Sequence, residues 1–141
     1  MFGHFFDSDK PTMTHLVCSS FVATKAVLPL MLKKRRGHII NVVSIAASTY
    51  FTDSAAYSAS KAGLLALMNV LRKEVRKFNI KISCIMPGAV DTAMWDSRSR
   101  QRYSKRMMTP RELGSIILTI AEQPKKVLIE DVVVRPIRGD I

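Results

Sequence analysis

Two short apolar runs with a helical stretch between them constrain this chain more than any other feature. The first, His38-Ile39-Ile40-Asn41-Val42-Val43-Ser44, is continuous and rich in β-branched residues. That is how a strand buried on both faces of a parallel sheet reads. The second, Ile80-Lys81-Ile82-Ser83-Cys84-Ile85, is stopped by Pro87-Gly88. Between them, Ala55 to about Phe78 carries a helical apolar period. Its first turns are small residues (Ala55, Ala56, Ser58, Ala59, Ser60, Ala62, Gly63), followed by Leu64, Leu67, Val70, Leu71 and Val75, with basic residues elsewhere. Strand, helix, strand in this order implies a parallel pair joined by a right-handed crossover.

The remainder extends the same alternation. Residues 1–10 read as a loop. A helix is expected from Pro11 to about Arg35, with Leu16, Ser20, Ala23, Val27 and Met31 on one face, a kink at Pro29 and Gly37 as its stop. Ser48 to Ser54 is a small-and-polar loop. Asp91 to Met108 is polar and arginine-rich without a clean period. Thr109-Pro110-Arg111-Glu112 has the residue types of a capped helix start, and that helix should run to about Glu122. Val127–Ile129 and Val132–Val134 are strand candidates. The expected class is α/β, one parallel-sheet domain over residues 1–141, with no internal repeat.

Composition narrows the function classes. An apolar fraction of 48% fits a globular chain. No apolar run approaches the roughly 18–20 residues of a membrane span, and the N-terminus lacks a secretory pattern, so a cytoplasmic protein is expected. Cys18 and Cys84 read as reduced, small core residues. His4, His15 and His38 show no ligand spacing, so no metal site is expected. The net charge of +11 raises nucleic acid as a partner, but no zinc, helix-turn-helix or aromatic-basic motif accompanies it. Two of the three basic groups, Lys33 to Arg36 and Arg72 to Lys81, fall at helix C-terminal ends, where cations complement the dipole. The third, Arg98 to Arg111, includes Arg98-Ser99-Arg100-Gln101-Arg102, which reads as a solvated loop, a substrate lid or an anion-binding segment. Arg138-Gly139-Asp140 matches an adhesion tripeptide, read as a chance occurrence.

Chemistry concentrates at a few positions. Tyr57 and Lys61 stand four apart at a helix start, which puts both side chains on one face. A nearby ammonium stabilises a phenolate, so a tyrosine so placed can serve as acid or base near neutral pH. Ser44 ends the first strand, thirteen positions before Tyr57. In open α/β sheets ligands bind beyond the carboxyl ends of the strands, and Pro87-Gly88 ends the next strand on the same side.

These motifs together resemble the short-chain dehydrogenase/reductase family. Gly37 to Ala46 is similar to that family's catalytic-serine strand. Ala56-Tyr57-Ser58-Ala59-Ser60-Lys61-Ala62-Gly63 is similar to its active-site helix, and Pro87-Gly88-Ala89-Val90-Asp91-Thr92 to its nicotinamide-contacting turn. The likeness covers nearly the whole chain and is weakest before Thr24 and in Trp95 to Met108. Thr109 to Pro136 resembles members acting on small hydroxy or keto compounds. The resemblance implies the second half of a Rossmann-like, doubly wound parallel sheet. It implies NAD or NADP as cofactor and a small alcohol or carbonyl as substrate. It also implies roles for the matching residues: Tyr57 transfers the proton, Lys61 bonds the nicotinamide ribose, Ser44 orients the substrate oxygen, and Pro87, Gly88 and Thr92 border the nicotinamide ring.

The sequence departs from the family pattern twice. Glycine occurs only at positions 3, 37, 63, 88, 114 and 139, so no Gly-x-Gly-x-x-Gly phosphate loop is encoded. The family's phosphate loop, adenine-ribose reader and Asn-Asn-Ala-Gly strand would precede Met1, and weak or no NAD(P) binding by these 141 residues is expected. Counting back from Ser44 without gaps, the family's relay asparagine falls at Leu16. Beside the oxidoreductase reading stand a non-enzymatic remnant acting through helix-mediated dimerisation and, on charge alone, a basic nucleic-acid-binding module. The resemblance implies homo-oligomers paired through the helices at 11–35 and 55–78.

Overall fold

The computed structural model describes the backbone of residues 13–141 and the side chains from residue 17 onward. The loop expected at 1–10, the helix start at Pro11, His4, and the side chains of His15 and Leu16 lie outside the described residues. Four helices and three strands are present among the described residues: α1 Met13–Lys34, β1 Gly37–Val42, α2 Ala55–Val75, β2 Ile80–Pro87, α3 Ser97–Tyr103, α4 Pro110–Ala121 and β3 Asp131–Val134. Short 3-10 turns at Ile45–Ala47, Arg76–Phe78 and Ser104–Arg106 lie between them. The strands form one parallel sheet in the order β1-β2-β3, with Gly37 opposite Ile80 and Cys84 opposite Asp131. The α/β parallel architecture read from the sequence is therefore the observed one.

Alternation within the strands sorts the core. Ile80, Ile82, Cys84 and Met86 of β2 project to one face and bury against Leu64, Met68 and Val75 of α2. On the opposite face, Lys81 donates to the carbonyls of Gln123 (3.1 Å), Pro124 (3.2 Å) and Val127 (3.1 Å), closing off the exit of α4. His38 Nε2 meets Ser83 Oγ at 2.8 Å, and that hydroxyl donates onward to Ile129 O. His38 therefore presents an N–H to Ser83. Burial and then the charge of Lys81 lower its pKa, favouring the neutral ring.

Several expectations need correction. The core-facing stripe of α1 is Val17, Thr24, Leu28 and Met31; Ala23 and Val27 are exposed. α1 is apolar nearly all round, with Phe21, Val22 and Leu30 also exposed. Period alone therefore could not orient it; packing on α2 does. The stop of α1 is Arg35 rather than Gly37. Arg35 takes φ 47°, with Arg35 N bonding Leu32 O (3.1 Å) and Arg36 N bonding Met31 O (3.2 Å), a Schellman closure. Gly37 instead opens β1, and a Cβ there would sit 2.4 Å from Met31 Sδ, so its lack of a side chain admits the methionine.

In α2 the buried stripe is Ser60, Leu64, Met68, Arg72 and Val75, whereas Val70 is exposed. The polar segment from Asp91 to Met108 is not irregular throughout. It contains α3, started by Asp96, whose carboxylate accepts from Arg98 N and Ser99 N (both 3.0 Å). Val127–Ile129 is not a strand. Cys18 is exposed, while Cys84 is buried, its thiol pushed up to about 11 by burial. The capping box at the start of α4 forms as expected: Thr109 Oγ1 accepts from Glu112 N (3.2 Å), and Glu112 Oε2 accepts from Thr109 N (2.6 Å). Among the described residues, no helix is long and apolar enough to cross a membrane, and no group of three or more His, Cys, Asp or Glu could hold a metal ion.

Candidate functional site at the carboxyl ends of the strands

β1 ends at Val42, and Val43 N still bonds Ile85 O (2.8 Å), which carries the chain straight to Ser44. Ser44 is buried and caps the following 3-10 turn: its Oγ accepts from Ala46 N at 3.1 Å. The hydroxyl hydrogen remains available to an acceptor. That turn packs against α2 and so holds Ser44 on the helix that carries Tyr57 and Lys61.

Tyr57 lies in the first turn of α2 and is half-buried. The four-residue spacing brings Lys61 onto it: the ammonium lies 5.6 Å from the centroid of the Tyr57 ring. Burial lowers the pKa of Lys61, and no carboxylate offsets it. Ser60 Oγ donates to Tyr57 O (2.7 Å), tightening this first part of the helix. Gly63, two residues beyond Lys61, faces Val17 of α1, 4.0 Å from where its Cβ would stand.

Pro87 is the last residue of β2, opposite Val134, and Gly88 N bonds Val134 O at 2.7 Å. A Cβ on Gly88 would come within 3.1 Å of Pro136 Cδ, a close approach that glycine admits without displacing the proline. Thr92 starts a turn, its Oγ1 accepting from Met94 N (3.4 Å) and its carbonyl from Trp95 N (3.3 Å). Beyond it, an open hollow of about 530 Å³ is lined by Asp91, Trp95, Ser97, Arg100, Gln101 and Ser104, with Arg100 donating to Asp91 across it. Tyr57 and Lys61 are thus brought together, and the turn that Ser44 caps packs against the same helix. Pro87 and Gly88 form a second group at the end of β2, tied to β3, and Thr92 follows in the turn beyond them. Among the described residues no hydrogen bond joins the two groups.

The sequence reading missed the segment beyond β3. Arg135 Nη2 donates to Thr49 Oγ1 (2.7 Å) in the loop after Ser44, and Arg135 Nη1 pairs with Asp140. Arg106 Nη2 donates to Asp140 O (3.2 Å). An arginine directly after the Val132–Val134 run is the signal that could have found this cluster, because ligands bind beyond the carboxyl ends of parallel strands.

The model of the short chain dehydrogenase family matches residues 10–103. A sepiapterin reductase of Chlorobaculum tepidum is 33% identical over 130 residues, covering 92% of this chain and 53% of that protein. An uncharacterized oxidoreductase of Staphylococcus aureus is 34% identical over 113 residues, covering 80% of this chain and 48% of its own length. The chain thus spans about half the length of the curated relatives it matches. Among solved structures, serine dehydrogenase in its closed form with NADP+ superposes with a TM-score of 0.76 at 25% identity, covering 84% of this chain and 51% of that one. A metagenomic short-chain oxidoreductase in complex with NADP gives 0.70 at 28% identity, covering 88% and 49%.

Proposed function

This chain belongs to the short-chain dehydrogenase/reductase family, and from that premise we propose that it carries the proton-transfer and substrate-orienting half of an NAD(P)-dependent oxidoreductase site acting on a small alcohol or carbonyl compound. The observation that carries the reading is the Tyr57–Lys61 pair: a half-buried phenol with a desolvated ammonium 5.6 Å from its ring centroid. Neither the Tyr57 hydroxyl nor the Lys61 ammonium has a hydrogen-bond partner among the described residues, so both are open to a ligand.

The residues present fit one end of a nicotinamide dinucleotide. Lys61 has three donors and no counter-ion, which suits ribose hydroxyls. Pro87, Gly88 and Thr92 would border the ring. No glycine-rich cradle for the pyrophosphate occurs in the 141 residues. When bound, the nicotinamide supplies or accepts the hydride. The protein's own work is then proton handling. Ser44 donates its hydroxyl hydrogen to the substrate oxygen and fixes its position. Tyr57 gives a proton to that oxygen in reduction and takes it back in oxidation. Lys61 stabilises the phenolate this leaves with its ammonium beside the ring.

A second reading has its own support. Phe21, Val22 and Leu30 of α1 and Val70 of α2 are exposed apolar side chains on helices 13–34 and 55–75. They favour homo-oligomer association through these helices, with or without catalysis.

The test is turnover with NADH and NADPH against a panel of small ketones, aldehydes and hydroxy acids. Tyr57→Phe should lower kcat/KM about 10²–10⁴-fold while leaving the melting midpoint nearly unchanged. Turnover undiminished in Tyr57→Phe, or none in the parent protein, defeats the catalytic reading and leaves association, read by sedimentation, as the surviving one.

A further inference from the structure

Segments that follow β1 and β3 meet at one guanidinium, and the residue that follows β2 lies beside its backbone. Thr49 lies in the loop after β1, five residues past Ser44, with its own N–H bonded to Ile45 O (2.8 Å). Gly88 follows β2. Arg135 follows β3 and reaches Thr49 Oγ1 with one Nη and the Asp140 carboxylate with the other. The segment from Arg135 to Ile141 folds back on itself: Gly139, at φ +78°, bonds Pro136 O (2.9 Å), and Pro136 seats against Gly88. The fold-back lays Asp140 against Gly88, with Oδ1 3.6 Å from where a Gly88 Cβ would stand.

Asp140 is held incompletely. Oδ2 meets Arg135, but Oδ1 is buried with no hydrogen-bond partner. Buried carboxylate oxygens in settled positions find donors. Its backbone carbonyl is held by Arg106, so the main chain is anchored while the carboxylate is half satisfied. The partner of Arg135 is therefore a carboxylate supplied by the chain itself, in a protein whose net charge of +11 favours anions at its surface.

We propose that Arg135 and Thr49 form a receptor for the carboxylate of the substrate, and that Asp140 occupies it in the ligand-free protein as an internal stand-in. The proposal deepens the oxidoreductase reading and rests on it: the substrate would be a short hydroxy or oxo acid. Its alcohol or carbonyl would lie toward Ser44 and Tyr57, and its carboxylate would take the place of Asp140 Oδ2 on Arg135 Nη1. Thr49, whose oxygen accepts from Arg135, has its hydroxyl hydrogen available for the second carboxylate oxygen. That second bond is what Asp140 Oδ1 lacks, so a free acid can be held more completely than the stand-in.

The stand-in sets the sign of the test. A ligand that must displace an internal competitor binds with its affinity reduced by the fraction of time the receptor is vacant, and removing the competitor restores it. The probe is 3-hydroxypropanoate with its methyl ester as neutral control, titrated onto the full chain while the Arg135 Nε–H resonance is followed by NMR. The parent protein should shift with the acid and not with the ester. Arg135→Gln should abolish acid binding and Arg135→Lys should retain part of it. Asp140→Asn should tighten acid binding about tenfold, whereas Glu122→Gln, the same charge change at an exposed site, should not. Melting curves of all variants establish that each is folded.

An acid affinity that Asp140→Asn leaves unchanged or weakens, or that Arg135→Gln preserves, overturns the proposal. Binding requires neither nicotinamide nor turnover, so the two readings fail separately. Acid binding without Tyr57-dependent chemistry defeats the catalytic reading alone. Tyr57-dependent turnover that treats acid and ester alike and ignores Arg135 defeats the receptor alone.

Discussion

Lys61 and Arg72 are basic residues of the same helix, eleven positions apart, and the fold treats them in opposite ways. Arg72 is 4% exposed and saturated. It donates to Ile82 O (2.8 Å), Asn69 Oδ1 (2.7 Å), Glu130 O (2.9 Å) and Asp131 Oδ1 (2.6 Å). Burial works against its charge, but the hydrogen bond and charge of Asp131, with Glu130 behind it, outweigh that and hold its pKa above the ordinary value. Lys61 is less buried yet has no acid and no carbonyl beside it, only an aromatic face, and desolvation lowers its pKa. A cation that receives every partner is there to fasten α2 to β2 and β3. A cation left without partners in a strand-end crevice weakens the fold slightly and stays open to a ligand.

That contrast can be broken by substitution. The largest stability effect should come from Arg72→Met, which leaves two backbone carbonyls and Asp131 without their donor. A loss of about 3 kcal/mol is expected by chemical denaturation. A loss well under about 1 kcal/mol would mean that the network is ornamental to stability. Next is Thr109→Ala, which removes the cap of α4 far from both cations and should cost about 1 kcal/mol. It gauges what an ordinary single hydrogen-bonded terminus contributes beside the Arg72 network.

The smallest effect, and the most telling, has the opposite sign. Lys61→Met should raise the melting midpoint slightly near neutral pH while removing turnover. The folded-state pKa of Lys61 lies below 10.5, so the unfolded chain binds its proton more tightly. The destabilisation is full below the lowered folded value and fades as pH rises toward 10.5. The gain from Lys61→Met should therefore shrink along the same interval. Melting curves at about pH 7 and about pH 10 check this. A variant less stable than the parent near neutral pH would show that Lys61 is a structural cation like Arg72.

Much of this was legible in the chain itself. The β-branched runs around Ile40 and Ile82 announced parallel strands, because residues buried on both faces need no polar alternation. The four-residue step from Tyr57 to Lys61 fixed their shared face, because helix geometry is local. Thr109 and Glu112 likewise announced their box. Arg72 was not legible: the apolar face read from the sequence ran through Leu67, Val70 and Leu71 rather than Met68 and Arg72, and the acids that satisfy Arg72 lie 58 and 59 residues away. The orientation of α1 was hidden by its nearly uniform apolarity. α3 was hidden by arginines with no period, although Asp96 in front of it was a usable cap signal.

The sequence by itself determined the strand–helix–strand alternation around α2, the parallel class of the sheet and the shared face of Tyr57 and Lys61, all properties set within one turn, one strand or one crossover. Only the tertiary structure decided which cation is saturated and which is open, that Arg35 rather than Gly37 ends α1, and that Arg135 meets Thr49 and Asp140. Those outcomes depend on carboxylates, hydroxyls and carbonyls brought together from distant segments. Whether a buried charge has a partner is a property of the assembled sheet ends and of no local window.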